Sequence, residues 1–385
     1  MKKRIIINVS SLNYPLSGIG VYTYELIKRF HNDPYYEVLY HRSGKVTKEF
    51  PKISKIEYLF RRYKYVYKIS YFLLYFYRIF KKIIIGFDKE LEFYDNENTV
   101  YFGPNYYCPF DFSGKKIVTI HDLSVFKYSD YHPSARVRII TADIFSAINN
   151  ADMLITDSPY TRDEIIGFFD YKKVKKIRAI PLGAKEIFYK KYLQNHIEGV
   201  LKTYGLNYKK YLISVGTIEP RKNIERLIEA YHLLPKKTKK EYKLAIAGIS
   251  GWNNSALLDS IRSMEKKNQI VFLSNLSDEL LSFLYSGAKL TIVPSIYEGF
   301  GLPVVESIES GTPVICSNTS SLNDIIQDSQ YKFNPLDAKE ISQLINKSLT
   351  NIHFYNNLDN YCGNLKNKYS WNKTYDALKK VINNL

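Results

Sequence analysis

The order of strand-like and helix-like segments along this chain predicts an α/β protein with two doubly wound, parallel-sheet domains. Apolar strand patterns recur along the chain, at residues 4–9, 99–103, 116–120, 152–156, 176–180, 211–215, 243–248, 269–273, 289–293 and 313–316. Helical periodicity follows most of them, at residues 19–31, 134–149, 160–169, 223–234, 255–267, 277–286, 303–310 and 338–349. Such alternation is typical of sheets whose parallel strands are connected by helices.

A polar stretch without clear periodicity, residues 189–208, interrupts this alternation, which restarts near residue 211. We therefore expect two Rossmann-like domains, 1–190 and 191–370, followed by a C-terminal helix in 371–385. In sheets of this kind, ligands bind beyond the carboxyl ends of the strands. The loops that follow strands are therefore the places to look for function.

The composition is that of a globular, basic protein. Its 385 residues are 45% hydrophobic and carry a formal net charge of +17, which favours acidic or phosphorylated partners. Cys108, Cys316 and Cys362 are far apart and form no CxxC motif, so the sequence predicts no disulfide or zinc framework and fits a reducing compartment. No apolar run reaches the roughly 18 residues that a membrane span needs, so we expect a cytoplasmic protein.

Residues 52–82 break the alternation of strands and helices. They contain nine Lys or Arg, eleven Tyr or Phe and one acid, around the short apolar centre Ile69-Ser-Tyr-Phe-Leu-Leu-Tyr-Phe-Tyr77. Basic flanks around a nonspanning apolar centre are typical of a helix that lies on an anionic membrane surface. A core-packed helix with solvated flanks is the plainer alternative. Nucleic-acid binding is disfavoured, because no recognised nucleic-acid motif accompanies this composition.

Two carboxylates flank a glycine-bearing turn in Glu298-Gly-Phe-Gly-Leu-Pro-Val-Val-Glu306. The segment follows the strand-like run Leu290-Thr-Ile-Val-Pro-Ser295 and opens a predicted helix. The start of a helix leaves about four backbone N–H groups unpaired and carries roughly half a positive charge, which suits a phosphate. Because carboxylates suit hydroxyl groups, the segment predicts a site for a nucleotide sugar.

A basic loop lies upstream, in Gly216-Thr-Ile-Glu-Pro-Arg-Lys-Asn223. A buried-strand pattern precedes it at 211–215, and apolar residues at helical spacing follow it from Ile224. Arg221 and Lys222 are therefore expected at the carboxyl end of a parallel strand. There, an arginine fork and a lysine point charge can clamp a diphosphate.

With these two segments, the chain resembles the retaining glycosyltransferases of family 4, in particular the bacterial mannosyltransferases that build surface polysaccharides. Shorter matches extend the resemblance over nearly the whole chain, at Ser17-Gly-Ile-Gly-Val-Tyr22, Phe102-Gly-Pro-Asn105, His121-Asp-Leu123, Thr156-Asp-Ser158, Pro181-Leu-Gly183 and Tyr369-Ser-Trp371. The resemblance implies the GT-B fold, in which two Rossmann-like domains face each other across a cleft. It also implies that the last helix returns to the first domain.

The resemblance assigns the transferred sugar's diphosphate to Arg221 and Lys222. Members of the family often have an arginine directly after the first glycine of this loop, where the present chain has Thr217. Thr217 is therefore expected at the donor site without that extra cation. The two remaining cations would then stabilise more of the leaving group's charge.

By the same resemblance, Glu306 accepts hydrogen bonds from the ribose hydroxyls and Glu298 lies at the hydroxyls of the transferred sugar. The turn between them is expected to offer backbone amides to the sugar and phosphate, from Phe300, Gly301 and Leu302. Helix-dipole complementarity alone is the plainer explanation for Glu306 and contributes about 0.3–1 kcal/mol.

The first domain contributes His121, which follows a predicted strand and which the resemblance places at the transferred sugar or near the acceptor. Asp122 is expected either to orient that imidazole or to cap the next turn. Gly18 and Gly20 lie between the first strand and the first helix, where the resemblance implies approach to the donor phosphates and the acceptor. A lone GxG is weak evidence, because the dinucleotide fingerprint would need a third glycine where Thr23 stands.

The expected reaction is transfer of a hexose, with mannose from GDP-mannose favoured, to a saccharide or polyprenyl-diphosphate-linked acceptor in O-antigen, capsule or similar polysaccharide assembly. No cofactor and no metal are expected, because no DxD-type carboxylate pair lies beside the basic loop. A peripheral position on the inner membrane surface follows from residues 52–82. The alternatives are a sugar-nucleotide epimerase, or an inactive protein on the same fold that binds membranes or nucleic acid.

Overall fold

The computed structural model describes residues 2–14, 16, 18–53, 89–110, 112–169, 176–249, 261, 265 and 269–385. The chain forms two compact units. The first comprises Met1–Leu182 together with Trp371–Leu385, and the second comprises Gly183–Ser370.

The first unit contains a seven-stranded sheet in the order β3-β2-β1-β4-β5-β6-β7. Its strands are β1 (Lys3–Asn8), β2 (Tyr36–Arg42), β3 (Lys45–Thr47), β4 (Thr99–Gly103), β5 (Lys115–Ile120), β6 (Met153–Thr156) and β7 (Ile177–Ala179). Its helices are α1 (Gly18–Asn32), α2 (Lys89–Glu92), α3 (Ser124–Lys127), α4 (Ser134–Asn150) and α5 (Pro159–Phe169), with a 3-10 turn at Ser129–Tyr131. All neighbouring strands pair in parallel except β2 and β3, which are antiparallel.

The second unit contains a six-stranded parallel sheet in the order β10-β9-β8-β11-β12-β13. Its strands are β8 (Tyr211–Val215), β9 (Lys243–Ala247), β10 (Ile270–Leu273), β11 (Leu290–Val293), β12 (Val314–Ser317) and β13 (Lys332–Phe333). Its helices are α6 (Gln194–Lys202), α7 (Ile224–Leu233), α8 (Lys236–Glu241), α9 (Asp278–Gly287), α10 (Leu302–Glu309), α11 (Leu322–Ile325), α12 (Ala338–Thr350) and α13 (Ile352–Asn364). Short 3-10 turns lie at Glu186–Tyr189, Pro220–Lys222 and Ser329–Tyr331.

The central strands form because they consist of branched apolar residues that are covered on both faces. Ile5, Ile6 and Ile7 of β1 are fully buried, as are Ile213 of β8 and Ile292 of β11. This is the pattern of a parallel sheet with helices on both faces. The two sheets confirm the predicted fold class, two parallel-sheet α/β domains.

Residues 183–190, predicted to belong to the first domain, lie in the second unit. Phe188 in this segment is fully buried, and its ring contacts the ring of Tyr285 at a centroid distance of 5.8 Å. An isolated bridge also pairs Ala184 with Ser370. The segment therefore packs on α9 of the second unit.

The C-terminal helix α14 (Trp371–Asn383) packs within the first unit. Tyr375 donates a hydrogen bond from its hydroxyl to Asp33 at 2.6 Å, and Arg29 donates from Nε to Asn372 at 2.9 Å. The ring of Trp371 lies 6.1 Å from that of Tyr22 on α1. Polar contacts and buried aromatic rings thus join the two ends of the chain in one unit.

Two predictions fall outside the described residues: most of the helix at 255–267 and most of the basic, aromatic segment at 52–82. Within the described part of the chain, no helix is long and apolar enough to cross a membrane. Cys108, Cys316 and Cys362 are buried as free thiols.

Candidate functional site

The basic loop leaves β8 at Gly216 and enters α7 through a tight turn. Asn223, which ends this turn, has a left-handed backbone (φ 57°), and its amide donates hydrogen bonds to the carbonyls of Pro294 at 3.0 Å and Pro335 at 2.7 Å. Gly248, which follows β9, packs so closely that a Cβ there would lie 1.8 Å from the Gly216 carbonyl oxygen. The neighbouring loops therefore fix the path of the basic loop.

The turn brings Arg221 and Lys222 onto Glu298, which follows the neighbouring strand β11. Arg221 donates from Nη1 to a Glu298 carboxylate oxygen at 3.1 Å and to the Tyr297 carbonyl at 2.8 Å. Lys222 donates from Nζ to the other Glu298 oxygen at 2.6 Å. Arg221 also donates from Nη2 to Glu219 at 2.7 Å. Two cations and two carboxylates thus form one cluster, hereafter the charge cluster: Glu219, Arg221, Lys222 and Glu298.

Glu298 is buried, with 6% of its surface exposed, yet it is held as a carboxylate. Burial alone would raise the pKa of this carboxyl, but the charges of Lys222 and Arg221, with hydrogen bonds from Lys222 and Ser295, lower the pKa overall. The negative charge of Glu298 is therefore compensated within the fold.

Serine hydroxyls position the turn around Glu298. Ser295 donates to the Glu298 carboxylate at 2.6 Å, and the Glu298 backbone N–H donates to the Ser320 hydroxyl at 3.0 Å. Ser321 donates to the carbonyls of Glu298 and Phe300, both at 2.8 Å. Because Ser320 and Ser321 follow β12, three neighbouring strands of the sheet contribute to this site.

Gly301 begins α10 with φ +117°, a backbone conformation that favours glycine. A Cβ there would also lie 2.8 Å from a Leu322 side-chain carbon. Phe300 is buried, with its ring 5.5 Å from that of Tyr369, while Leu302 and Pro303 form the first turn of the helix. The turn with the predicted backbone donors is therefore tightly constrained.

Glu306 lies in α10, after Pro303 in the first turn, and is partly buried. The Tyr285 hydroxyl donates to its carboxylate at 3.3 Å. Burial raises the pKa of the Glu306 carboxyl to about 7, although the charges of Lys185 and Lys222 oppose this shift. Glu306 is thus poised to change its charge near neutral pH, in contrast to Glu298.

In the first unit, His121 lies buried beyond β5 with both ring nitrogens engaged. Nδ1 lies 2.7 Å from a carboxylate oxygen of Asp157, and Nε2 lies 2.8 Å from the Pro104 carbonyl. Burial alone would lower the pKa of His121, but the charge of Asp157 and the hydrogen bonds to Asp157 and Pro104 raise it overall. Because β4, β5 and β6 are parallel neighbours, Pro104, His121 and Asp157 meet at the carboxyl edge of the sheet.

Aromatic rings enclose His121. The ring of Tyr22 lies 5.0 Å from it and that of Tyr106 lies 5.5 Å away, both edge-on. Asp122 accepts hydrogen bonds from the backbone N–H of Ser124 at 2.9 Å and from its hydroxyl at 2.7 Å. Of the two expected roles of Asp122, the described contacts favour capping the next turn, and Asp157 takes the other role at the imidazole.

Gly18 and Gly20 were predicted between the first strand and the first helix, but both lie in the first turn of α1. Gly18 is the first residue of α1, and Gly20 is buried in its first turn. Thr217 is partly buried directly after Gly216. The structure brings Arg221, Lys222 and Glu298 into direct contact in the second unit, while His121 lies in the first unit.

Sequence reasoning missed three kinds of residue at these sites: Glu219 beside Arg221, the serines around Glu298, and Asp157 beside His121. Glu219 was detectable as an acid inside the basic loop, and Asp157 as an acid directly after a strand, like His121. The serines carry no signal of their own. In the described part of the chain, no group of three or more His, Cys, Asp or Glu side chains could hold a metal ion.

Comparison with known proteins adds independent information. The model of the family Glycosyl transferases group 1 matches residues 202–365, which include the charge cluster and α10. The O-antigen chain mannosyltransferase B of Escherichia coli is 31% identical over 358 residues, which cover 90% of this chain and 90% of that protein.

Solved structures of other proteins also resemble the whole chain. Sucrose-phosphate synthase from Thermosynechococcus elongatus has a TM-score of 0.72 at 18% identity and covers 100% of this chain and 99% of its own. Anabaena HepE in complex with UDP-glucose has a TM-score of 0.73 at 12% identity and covers 99% of this chain and 100% of its own. At these identities the likeness is one of fold, and it agrees with the predicted GT-B class. Since the similarity to the mannosyltransferase spans nearly the full length of both proteins, this chain belongs to the group 1 glycosyl transferases.

Proposed function

We propose that this glycosyltransferase moves a hexose, with mannose favoured, from a nucleoside diphosphate sugar to a hydroxyl of a lipid-linked saccharide during assembly of an O-antigen-like surface polysaccharide. The relative that is 31% identical is named as an O-antigen chain mannosyltransferase, which supports mannose and a growing polysaccharide chain. GDP-mannose is the favoured donor. The proposal includes membership of family 4 and retention of the anomeric configuration.

The charge cluster is the observation that carries this proposal. Its side chains are 4% to 14% exposed, so Arg221 and Lys222 are neither solvated surface charges nor fully enclosed. They lie on a loop whose path neighbouring strands fix, at the carboxyl edge of a parallel sheet. A preorganised pair of cations in such a place stabilises negative charge that develops on a leaving diphosphate.

In the proposed mechanism, Arg221 and Lys222 stabilise the departing nucleoside diphosphate, together with backbone amides of 300–302. Glu306 accepts from the ribose hydroxyls, and Glu298 from hydroxyls of the transferred sugar. The sugar's C1–O bond to the phosphate breaks as the acceptor oxygen bonds to C1 on the same face. The acceptor's proton passes to the departing phosphate oxygen. Catalysis then rests on charge stabilisation and on positioning of the two substrates.

A transfer assay with purified full-length protein tests the proposal. GDP-mannose, UDP-glucose and a dTDP-sugar are offered with and without a polyprenyl-diphosphate-linked saccharide. We expect nucleotide release that depends on the acceptor, and NMR of the product should show the anomeric configuration of the donor. An epimerase would convert the donor without acceptor, and a binding protein would release no nucleotide.

Binding can be measured separately from transfer. A ligand at 100 times its dissociation constant should stabilise the fold by about 2.7 kcal/mol, which gives a readable thermal shift. A screen of nucleoside diphosphates should therefore identify the nucleobase. No shift with any nucleoside diphosphate or nucleotide sugar would contradict the proposed donor class.

Association with an anionic membrane surface is a further part of the proposal, and it rests on the sequence of residues 52–82. Each Lys or Arg near an anionic surface contributes about 1 kcal/mol, so several can hold a protein there reversibly. Co-sedimentation with anionic liposomes should be strong at low salt and weak at high salt. Equal recovery in the supernatant with neutral and anionic liposomes at low salt would favour a core-packed helix instead.

A further inference from the structure

The charge cluster is electrically balanced before any substrate binds. Arg221 and Lys222 supply two positive charges, while Glu219 and Glu298 supply two negative ones at hydrogen-bond distance. A diphosphate that approaches these cations therefore meets two carboxylates already bound to them. The proposed function gives Glu298 a task at the sugar, but it gives none to Glu219.

Glu219 is one of several groups that contact the Arg221 guanidinium. Its side chain is 4% exposed and accepts a hydrogen bond from Nη2 of Arg221 at 2.7 Å. The other terminal nitrogen of Arg221 is held independently, by the Tyr297 carbonyl at 2.8 Å and by Glu298 at 3.1 Å. The guanidinium thus keeps two positioning contacts when the charge of Glu219 is removed.

We infer that Glu219 limits the affinity of the site for the product nucleoside diphosphate and so promotes its release. This inference rests on the proposed donor site. Glu219 is then a positioning residue. Its charge affects the diphosphate through Arg221, and its side chain does not touch the reacting atoms.

The physical argument is a difference in charge between donor and product. In a nucleotide sugar, each phosphate carries one negative charge. In the free nucleoside diphosphate, the terminal phosphate carries close to two at pH 7.5, because its second pKa is about 6. A fixed carboxylate beside the diphosphate cations therefore repels the product more than the donor. Loss of this repulsion should therefore increase the affinity for the product more than the affinity for the donor.

The decisive variant is Glu219→Gln, which keeps an acceptor oxygen for Arg221 and removes the charge. We expect GDP to bind about 3- to 10-fold more tightly to this variant by isothermal titration calorimetry. The affinity for GDP-mannose should increase less, and the inhibition constant of GDP should fall in the transfer assay. If wild-type protein binds uridine nucleotides instead, UDP and UDP-glucose take the place of GDP and GDP-mannose in these measurements.

Two further variants separate charge from structure. Glu225→Gln removes the same charge from an exposed position in the first turn of α7 and should leave GDP affinity unchanged. Glu219→Met is neutral and of similar length, and it should show the same direction of change if the Gln variant does not fold.

The direction of the change in GDP affinity distinguishes an effect of the Glu219 charge from a purely structural role of Glu219. If Glu219 only held Arg221 in place, its neutral variants would bind GDP and GDP-mannose more weakly. Weaker or unchanged GDP binding by folded Glu219→Gln would overturn the inference while leaving the proposed function intact. Absence of nucleoside diphosphate binding by wild-type protein would instead overturn the proposed donor site.

Discussion

The carboxyl edges of the two sheets carry different arrangements of charged side chains. In the first unit, one imidazole and one carboxylate form a pair that is enclosed by aromatic rings and a backbone carbonyl. In the second unit, two cations and two carboxylates form the charge cluster, with the cations at 14% exposure. The first arrangement is enclosed by the protein, whereas the second has cations that are partly exposed to solvent.

This difference indicates different uses of charge. A buried pair with every ring nitrogen engaged can hold neighbouring loops in place, because each contact links the end of a different strand. A balanced cluster near solvent can exchange its internal ion pairs for a charged ligand at a small net cost. The charge cluster therefore suits the proposed diphosphate site, and the His121–Asp157 pair suits a role in holding the loops of the first unit in place.

The largest expected effect is that of Lys222→Ala. The variant removes a cation from the leaving group, and it deprives the buried Glu298 carboxylate of its 2.6 Å partner. Loss of one preorganised charge contact of this kind typically lowers turnover by about 100- to 1000-fold. Transfer assays at saturating donor should show this loss.

Lys236→Ala is the matched control, since Lys236 is exposed at the start of α8 in the same unit. It should keep wild-type turnover, and both variants should melt as a single cooperative transition. Wild-type kcat/KM in Lys222→Ala would show that the charge cluster is not the donor site.

A smaller loss is expected from Asp157→Asn in the first unit. The amide cannot balance a protonated His121, so the imidazole should become neutral and lose its fixed orientation. Misplacement of this size lowers kcat by about 10- to 100-fold, while the affinity of the second unit for nucleoside diphosphate should not change. Nitrogen-15 NMR of the ring should show two protonated nitrogens in the wild type and one in the variant.

Asp152→Asn is the control, because Asp152 flanks the other end of β6 and accepts from the Lys116 backbone at 2.9 Å. If both variants lowered kcat equally, Asp157 would be a structural residue only. A neutral ring in wild-type protein at pH 7 would contradict the raised pKa of His121.

The sequence indicated the charge cluster of the second unit better than the His121–Asp157 pair of the first, for a physical reason. Arg221, Lys222 and Glu298 lie in two segments whose charge and glycine content indicate a phosphate site, so all three were predicted as site residues, although their direct contact was not predicted. Asp157 lies 36 residues from His121, and neither residue alone indicates a pair. Glu219 is visible as an acid inside the basic loop, but its burial cannot be read from the composition of that loop.

In the fold too, elements with a clear local pattern were predicted and elements without one were missed. Strands 99–103 and 211–215 were predicted at their observed bounds because continuous apolar runs define them. Strand β2, with the sequence Tyr-Glu-Val-Leu-Tyr-His-Arg, was missed because polar residues interrupt its apolar pattern. Its partner β3 and helices α6, α8 and α13 were missed for the same reason. Tertiary packing, and not local pattern, fixes these elements.

Glu306→Gln extends the comparison to a carboxyl whose pKa is raised by burial. The pKa of Glu306 is about 7 in the folded protein, above its value of about 4.5 in the unfolded chain. The folded state therefore binds the proton more tightly, and its stability falls as pH rises from about 4.5 to 7. Gln resembles the protonated acid, so the variant should be more stable than wild type above pH 7, on the order of 1 kcal/mol.

Thermal melts at pH 5 and pH 8 measure this effect, and the advantage of the variant should grow between them. The same variant should bind nucleotide sugar more weakly at pH 8, because an amide accepts fewer hydroxyl hydrogen bonds than a carboxylate. Equal melting differences at both pH values would place the Glu306 pKa near its ordinary range.

The smallest effect is expected from chelation of divalent metals. If Arg221, Lys222 and the amides at the start of α10 neutralise the diphosphate, a metal ion has no further charge to compensate there. Initial transfer rates in excess EDTA should therefore equal those in magnesium or manganese, for wild type and for Lys236→Ala alike. Loss of activity in EDTA, restored by added metal, would mean that the balanced charge cluster does not stabilise the leaving group alone. In that case the second unit would share this task with a metal ion.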